Sequence, residues 1–177
     1  TELNQKSSAI SKSESEKTDK NLIKDISYTA NNNRGDIYLL LADYGEIYVD
    51  NQELMFLTEV NGKITLHDGI IITIKSDFAN FNTKSFETTF INNVVVERRD
   101  EKITGDELYL VLEKDEKEIQ DPLEKDENLV RMSRNVIYKK PGYNLLADIL
   151  EIDLITKNIR IYMMDEYKKV IATSEIK

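Results

Sequence analysis

The sequence predicts an all-β protein built from repeated pairs of strands. β-Branched and aromatic residues dominate from Ile26 to Met164, and Asn, Asp and Gly separate the runs. Two of these runs, Ile37–Leu41 and Ile70–Ile74, are almost wholly apolar and too short for a typical helix. Similar segments recur along the chain, which is typical of stacked strand units that bury one shared seam.

Composition excludes several classes of protein. The 177 residues fit one domain, and the net charge of -9 makes the surface acidic. An acidic surface repels phosphate backbones, so we expect no nucleic-acid partner. Cysteine is absent, which removes disulfide frameworks, thiolate metal sites and cysteine nucleophiles. No run of 18 apolar residues occurs, as a membrane-spanning helix would need.

The polar segments set the expected domain organisation. Residues 1–22 are rich in Ser, Lys and Glu and bury too little apolar surface to fold, so we expect a disordered tail or a tether that follows a membrane anchor. Residues 23–170 form the expected β domain, and residues 171–177 a tail. Within the domain, the acidic stretch 113–128 contains Pro122 and is expected to be a loop inserted between two strands.

Four aspartates open the repeated segments, namely Asp43, Asp77, Asp106 and Asp148. The interval from Asp77 to Asp106 equals that from Asp106 to Asp148 once 13 residues of the acidic stretch are set aside, whereas the first interval is longer. Each repeat therefore corresponds to about two strands and the turn between them.

Apolar residues follow each aspartate at every second position, which predicts a strand with one face turned inward. The inward row comprises Gly45, Ile47, Val49, Ala79, Phe81, Leu108, Leu110, Leu150 and Ile152. Alternation alone leaves two interpretations open. The row either fills a closed sandwich core or lines an apolar trough.

Catalytic and metal-binding signals are weak. The single histidine, His67, lies in an apparent turn and is expected at the surface. No calcium-loop, phosphate-loop or nucleophile-elbow spacing is present, so we expect no metal and no cofactor. The four aspartates leave one enzymatic alternative, a β-solenoid whose carboxylate row acts on polysaccharide. Aspartate is nevertheless common at turns, where its side chain caps the local backbone.

Two glycines stand where tight turns are expected. Gly35 follows Asn33-Arg34, and Gly142 follows Pro141. Both positions suit turns that require positive φ, which glycine adopts without a steric penalty.

Several segments, in this order and spacing, resemble the LptC family of lipopolysaccharide export proteins. They are Gly35–Ala42, Glu46–Tyr48, Leu54–Leu57, Ile74–Ala79, Asn93–Val96, Ile103–Asp106 and Gly142–Asp148. The resemblance implies an open, V-shaped antiparallel β-jellyroll whose two splayed sheets hold lipid acyl chains between them. Two glycines of the family fall on Gly35 and Gly142. The acidic stretch 113–128 departs from the family pattern.

The resemblance also implies partners and a location. Lipopolysaccharide would lie against a trough lined by Ile47, Val49, Ala79, Phe81, Leu108, Leu110, Leu150 and Ile152. The N-terminal strands, residues 26–42, would meet the LptF or LptG jellyroll of the LptB2FG transporter. The C-terminal edge strand, with Ile159, Ile161 and Met163, would receive the bridge protein LptA. The protein would be periplasmic, held at the inner membrane by a helix before Thr1, and would not be an enzyme.

Three alternatives remain beside this interpretation. A soluble LptA-like bridge would share the same repeat and lack an uncleaved anchor. A β-solenoid enzyme would expose the four aspartates on one face and depend on Asp106. A structural β-repeat adhesin would bind no lipid.

Overall fold

The structure, a computed structural model, describes residues 20–32, 34–48, 51–111 and 129–174. These residues form ten strands and no helix, which confirms the predicted all-β class and the open antiparallel architecture. No helix able to cross a membrane occurs in the described ranges. The strands are β1 (Lys20–Asn31), β2 (Ile37–Tyr48), β3 (Asn51–Thr65), β4 (Ile71–Asn82), β5 (Thr88–Arg98), β6 (Glu101–Leu110), β7 (Leu129–Lys140), β8 (Tyr143–Asp153), β9 (Ile159–Tyr162) and β10 (Ile171–Ser174).

The strands form one open sheet in which neighbours along the chain pair antiparallel from β1 to β8. Beyond β8 the sheet divides. β9 pairs with residues 149–152 of β8, and β10 pairs with residues 143–146. One edge of the sheet is therefore β1, and the other is shared by two strands of four residues each.

Each of the first eight strands changes direction near its middle, along what we call the bend line. The even-numbered strands place the four repeat aspartates there, at Asp43, Asp77, Asp106 and Asp148. The odd-numbered strands place residues with positive φ beside them, at Asp25, Glu59, Asn92, Asn93, Arg134 and Asn135. Register shifts between Lys75 and Phe78 and between Ile91 and Val94 are the signature of β-bulges, which bend a strand and increase its twist.

The bend line divides the sheet into two layers. Layer A comprises residues 26–31, 37–42, 60–65, 71–76, 94–98, 101–105, 136–140, 143–147 and 171–174. Layer B comprises residues 20–24, 44–48, 51–58, 78–82, 88–91, 107–110, 129–133, 149–153 and 159–162. Strand β4 shows the consequence for burial: Ile72 and Ile74 are buried before the bend, and Ala79 and Phe81 after it. The inward positions are even-numbered before the bend and odd-numbered after it. In a straight strand this shift of one residue would turn the second half outward, and the bend compensates it.

The two layers pack face to face around one hydrophobic core. The Tyr38 hydroxyl on β2 donates to Thr88 Oγ1 on β5 at 3.4 Å. The Tyr28 ring on β1 lies 4.9 Å, centroid to centroid, from the Phe81 ring on β4. These contacts place the layer-A part of β1 over the layer-B part of β4, and the layer-A part of β2 over the layer-B part of β5.

The expected boundaries need correction. Strand β1 begins at Lys20, inside the expected tether 1–22, whereas residues 1–19 lie outside the described part of the chain. The expected tail 171–177 contains β10, because β8 offers it an edge of unpaired backbone groups. The C-terminal edge strand, expected to include Met163, ends at Tyr162. The insertion 113–128 lies outside the described residues.

Candidate functional site

The inward row lies in the space between the two layers. Six of its side chains are at most 3% exposed: Ala79, Phe81, Leu108, Leu110, Leu150 and Ile152. Gly45 is buried and Ile47 is half-buried, and Val49 lies outside the described residues. In the middle of the fold the row is therefore a closed core.

The interior is more accessible at its two ends. At the N-terminal end Ile23 is 40% exposed, and Ile26, Ile47 and Met55 are half-buried. Their cross-strand partners place all four on the inward face. At the C-terminal end the half-buried inward side chains are Leu145, Ile159 and Ile161. An apolar surface thus continues from one end of the sheet to the other, closed in the middle and partly open at both ends.

A glycine makes room for the side chains of Ile26 and Met55 at the N-terminal end. A Cβ on Gly45 would lie 2.1 Å from Ile26 Cδ1 and 3.0 Å from Met55 Sδ. Contacts at these distances are repulsive, so any larger residue would push Ile26 and Met55 aside. The prediction that position 45 faces inward agrees with this close approach.

The C-terminal edge contributes side chains to the interior as well as a free strand edge. Ile161 pairs with Leu150 and Ile159 pairs with Ile152, so both side chains point inward. Met163 follows the end of β9 and is half-buried. Among the described strands only β8 pairs with β9, so the outer backbone edge of β9 has no strand partner in that part of the chain.

Polar contacts fasten β9 to the outer face of layer B. The Glu151 carboxylate lies 2.9 Å from Arg160 Nη2 and accepts a hydrogen bond from the Tyr162 hydroxyl at 2.9 Å. Arg131 approaches the same carboxylate at 3.7 Å. The side chain of Glu151 is only 9% exposed, so these three donors compensate its lost hydration.

A buried carboxylate secures the turn that contains Gly35, which has a φ of 83°. Asp36 accepts hydrogen bonds from the Asn32 side chain at 2.9 Å and from the His67 backbone N–H at 2.8 Å. Burial favours the neutral acid, but these hydrogen bonds, with the His67 ring and the Arg34 charge, lower the pKa of Asp36 to about 2. The cluster joins the β1/β2 turn to the β3/β4 turn, and the side chain of His67 stays largely exposed, as its turn position predicts.

Gly142, the second predicted turn glycine, lies between β7 and β8 with a φ of 93°. A Cβ there would meet no heavy atom within 4 Å, so backbone conformation is the constraint at this position. Any role of Gly35 and Gly142 in assembly stays a prediction.

Repeat aspartates accept hydrogen bonds at the bend line. Asp77 and Asp106 accept hydrogen bonds from the side-chain amides of Asn93 and Asn135 at 2.7 and 2.5 Å, and Asp148 accepts one from the Met164 N–H at 3.1 Å. Successive repeat aspartates stand two strands apart, about 9–10 Å between backbones, which exceeds the separation of about 5 Å in retaining glycosidases. Among the described residues no group of three or more His, Asp or Glu is placed to hold a metal ion.

A sequence model of the family described as "Lipopolysaccharide-assembly, LptC-related" matches residues 2–160. No curated protein matches the chain significantly.

Proposed function

Because the chain belongs to the LptC-related family of lipopolysaccharide-assembly proteins, whose members are periplasmic components of lipopolysaccharide export, we propose that its interior carries lipid acyl chains. In this proposal the protein receives lipopolysaccharide from the inner-membrane transporter and passes it to LptA. It binds and guides the lipid and catalyses no reaction of its own. The family resemblance further supports a membrane anchor that precedes Thr1.

The observation that carries the proposal is the continuous apolar inward surface with two accessible ends. Ile23 and Met55 stand at the N-terminal end, and Ile159 and Ile161 at the C-terminal end. Burial of one methylene group contributes about 0.8 kcal/mol, so a few acyl carbons against such walls give useful affinity. Aliphatic walls hold a chain without fixing its position, which suits a carrier that must release its cargo.

The closed middle of the fold places a condition on transport. Leu108, Leu110 and Leu150 are fully buried between the layers, so an acyl chain reaches them only when the layers separate. Tight packing of apolar side chains is the state that an empty trough adopts, because water between the layers would cost free energy. Lipid that enters would replace the contacts between apolar side chains of the two layers with contacts between those side chains and its acyl chains.

The sheet edges suit the expected partners. β1 offers the transporter jellyroll an edge of twelve residues, and β9 offers LptA a short one. Exposed edges of this kind accept an additional strand through backbone hydrogen bonds.

Photo-crosslinking at the N-terminal end tests the proposal. A photoreactive residue at Met55, which faces inward, is compared with one at Phe56, which faces outward and stacks on Phe78 at 5.5 Å. With the transporter, ATP and lipopolysaccharide present, we expect lipid adducts at Met55 and background at Phe56. Adducts only at Phe56, or at neither position in folded protein, would contradict the proposal.

A further inference from the structure

An ion pair joins the two layers at the side opposite the bend line. Because each strand doubles back at the bend, the turns of both layers come together there, along what we call the mouth. Asp68 lies in the β3/β4 turn at the end of layer A, and Lys157 lies in the β8/β9 turn at the end of layer B. Lys157 Nζ is 3.7 Å from Asp68 Oδ2.

Both partners are oriented by their own turns. Asp68 uses Oδ1 to accept the Ile70 N–H at 3.1 Å, which leaves Oδ2 for the lysine. Lys157 has a φ of 63°, and its Nζ also donates to the Leu154 carbonyl at 2.9 Å. A non-glycine residue in the left-handed region is uncommon, and here that conformation belongs to the turn that carries the ammonium group across the mouth.

A buried leucine adjoins each of the two turns that carry the ion pair. Leu66 adjoins the turn of Asp68, Leu154 adjoins the turn of Lys157, and each is only 2% exposed. Both belong to the core cluster that includes Leu150 and Ile152. The ion pair therefore spans the mouth where the apolar interior is sealed from solvent.

We propose that the Asp68–Lys157 pair is a latch that holds the mouth closed over the C-terminal half of the interior. Acyl chains reach Leu150 and Ile152 when this latch opens, a role that rests on the proposed function. The two side chains are 37% and 29% exposed, and an ion pair so accessible to water stabilises only weakly. A weak latch suits the role, because a strong one would bar the lipid.

Cysteine accessibility tests the latch without lipid, since the chain has no native cysteine. An Ile152→Cys reporter lies beneath the mouth, and a Val94→Cys reporter lies beside the bend line; both positions are at most 1% exposed. Each reporter is combined with Lys157→Arg, Lys157→Gln or Lys157→Glu, and its reaction with N-ethylmaleimide is timed. Arg keeps the charge, Gln removes it and Glu reverses it.

We expect labelling at position 152 to be unchanged by Arg and to accelerate about two- to fivefold with Gln and further with Glu. Labelling at position 94 should stay constant throughout, since it reports global unfolding. High salt should bring the unsubstituted reporter towards the Gln variant. Equal rates in all variants at position 152, or equal acceleration at both positions, would overturn the latch.

A second arm separates the latch from the transport proposal. Photo-crosslinking of lipopolysaccharide at position 152 should increase in the Lys157→Gln background if both proposals hold. Faster cysteine labelling with no lipid adduct would support the latch and count against lipid transport. Lipid adducts with unchanged cysteine labelling would support transport and overturn the latch.

Discussion

Asp77 and Asn93 meet at the bend line, where the Asp77 carboxylate accepts a hydrogen bond from the Asn93 amide at 2.7 Å. Asn93 follows Asn92, and both have positive φ, at 50° and 62°. The same relationship recurs two strands on, between Asp106 and Asn135. Asparagine adopts the left-handed region more readily than most residues, so Asn93 allows the backbone to bend. Its hydrogen bond to Asp77 then stabilises the bent conformation.

Replacing Asn93 should reveal these two contributions. Asn93→Ala loses the hydrogen bond and replaces asparagine with a residue that adopts positive φ less readily, so we expect a loss of about 2 kcal/mol in the free energy of unfolding. Asn93→Gly loses only the hydrogen bond and should cost about 1 kcal/mol less than Ala. Urea unfolding measures both variants. Equal stability of the Ala and Gly variants would show that backbone strain at position 93 is negligible.

The lowered pKa of Asp36 predicts that the stability of the fold depends on pH. Its pKa is lowered to about 2 in the folded protein, from the usual value of 3.8 for this side chain. Folding therefore gains stability from Asp36 above about pH 4, and this gain is lost as the pH falls from 4 towards 2. We expect Asp36→Asn to cost about 2 kcal/mol at pH 7 and much less near pH 2. A difference between the two proteins that is constant from pH 7 to pH 2 would refute the assignment.

The close approach of Ile26 to Gly45 predicts that a smaller residue at position 26 restores stability to a Gly45 variant. Gly45→Ala places a methyl group against Ile26 Cδ1, the end of a half-buried side chain that can shift, so we expect a loss of about 1 kcal/mol from overpacking. Ile26→Val removes that Cδ1, and the double variant should regain at least half of the loss. Thermal unfolding of the single and double variants measures this. Additive losses in the double variant would mean that Ile26 does not set the limit.

Glu151 should control the order of β9. Glu151→Ala removes the acceptor of Tyr162 and the partner of Arg160, which should cost about 1–2 kcal/mol locally. We expect faster amide hydrogen exchange over Ile159–Tyr162, with the exchange of β4 unchanged. Glu53→Ala, which breaks the exposed pair with Lys84, is the control and should leave β9 unaffected. Unchanged exchange in β9 would show that strand pairing alone holds it.

Alternation in the sequence was sufficient to predict which side chains turn inward after each aspartate. At Leu108 and Leu110 burial follows a period of two to the end of β6, whereas in β8 Ile149 and Glu151 are buried beside Leu150 and Ile152. The repeat also identified Asp77 and its equivalents, but the hydrogen bonds that hold Asp77 and Asp106 at the bend come from asparagines on the neighbouring strand. Local pattern carries no information about such pairs.

Other features depend on contacts between distant segments. The partner of Asp36, His67, is 31 residues away in the sequence, and neither residue stands in a recognisable motif. β10 has only four residues and exists because β8 offers an edge. A closed core and an open trough require the same apolar row. Alternation therefore cannot distinguish them, and the packing of the layers decides which one forms.

Photo-crosslinking at Leu110 and at its neighbour Tyr109 shows whether acyl chains pass between the layers. Leu110 is fully buried between the layers, whereas the Tyr109 hydroxyl donates to Glu87 at 3.1 Å on the outer face of layer B. During ATP-driven export, we expect lipopolysaccharide adducts at Leu110 and none at Tyr109. Absence of adducts at Leu110 in a folded, exporting protein would mean that the interior is a permanent core and that lipid travels elsewhere.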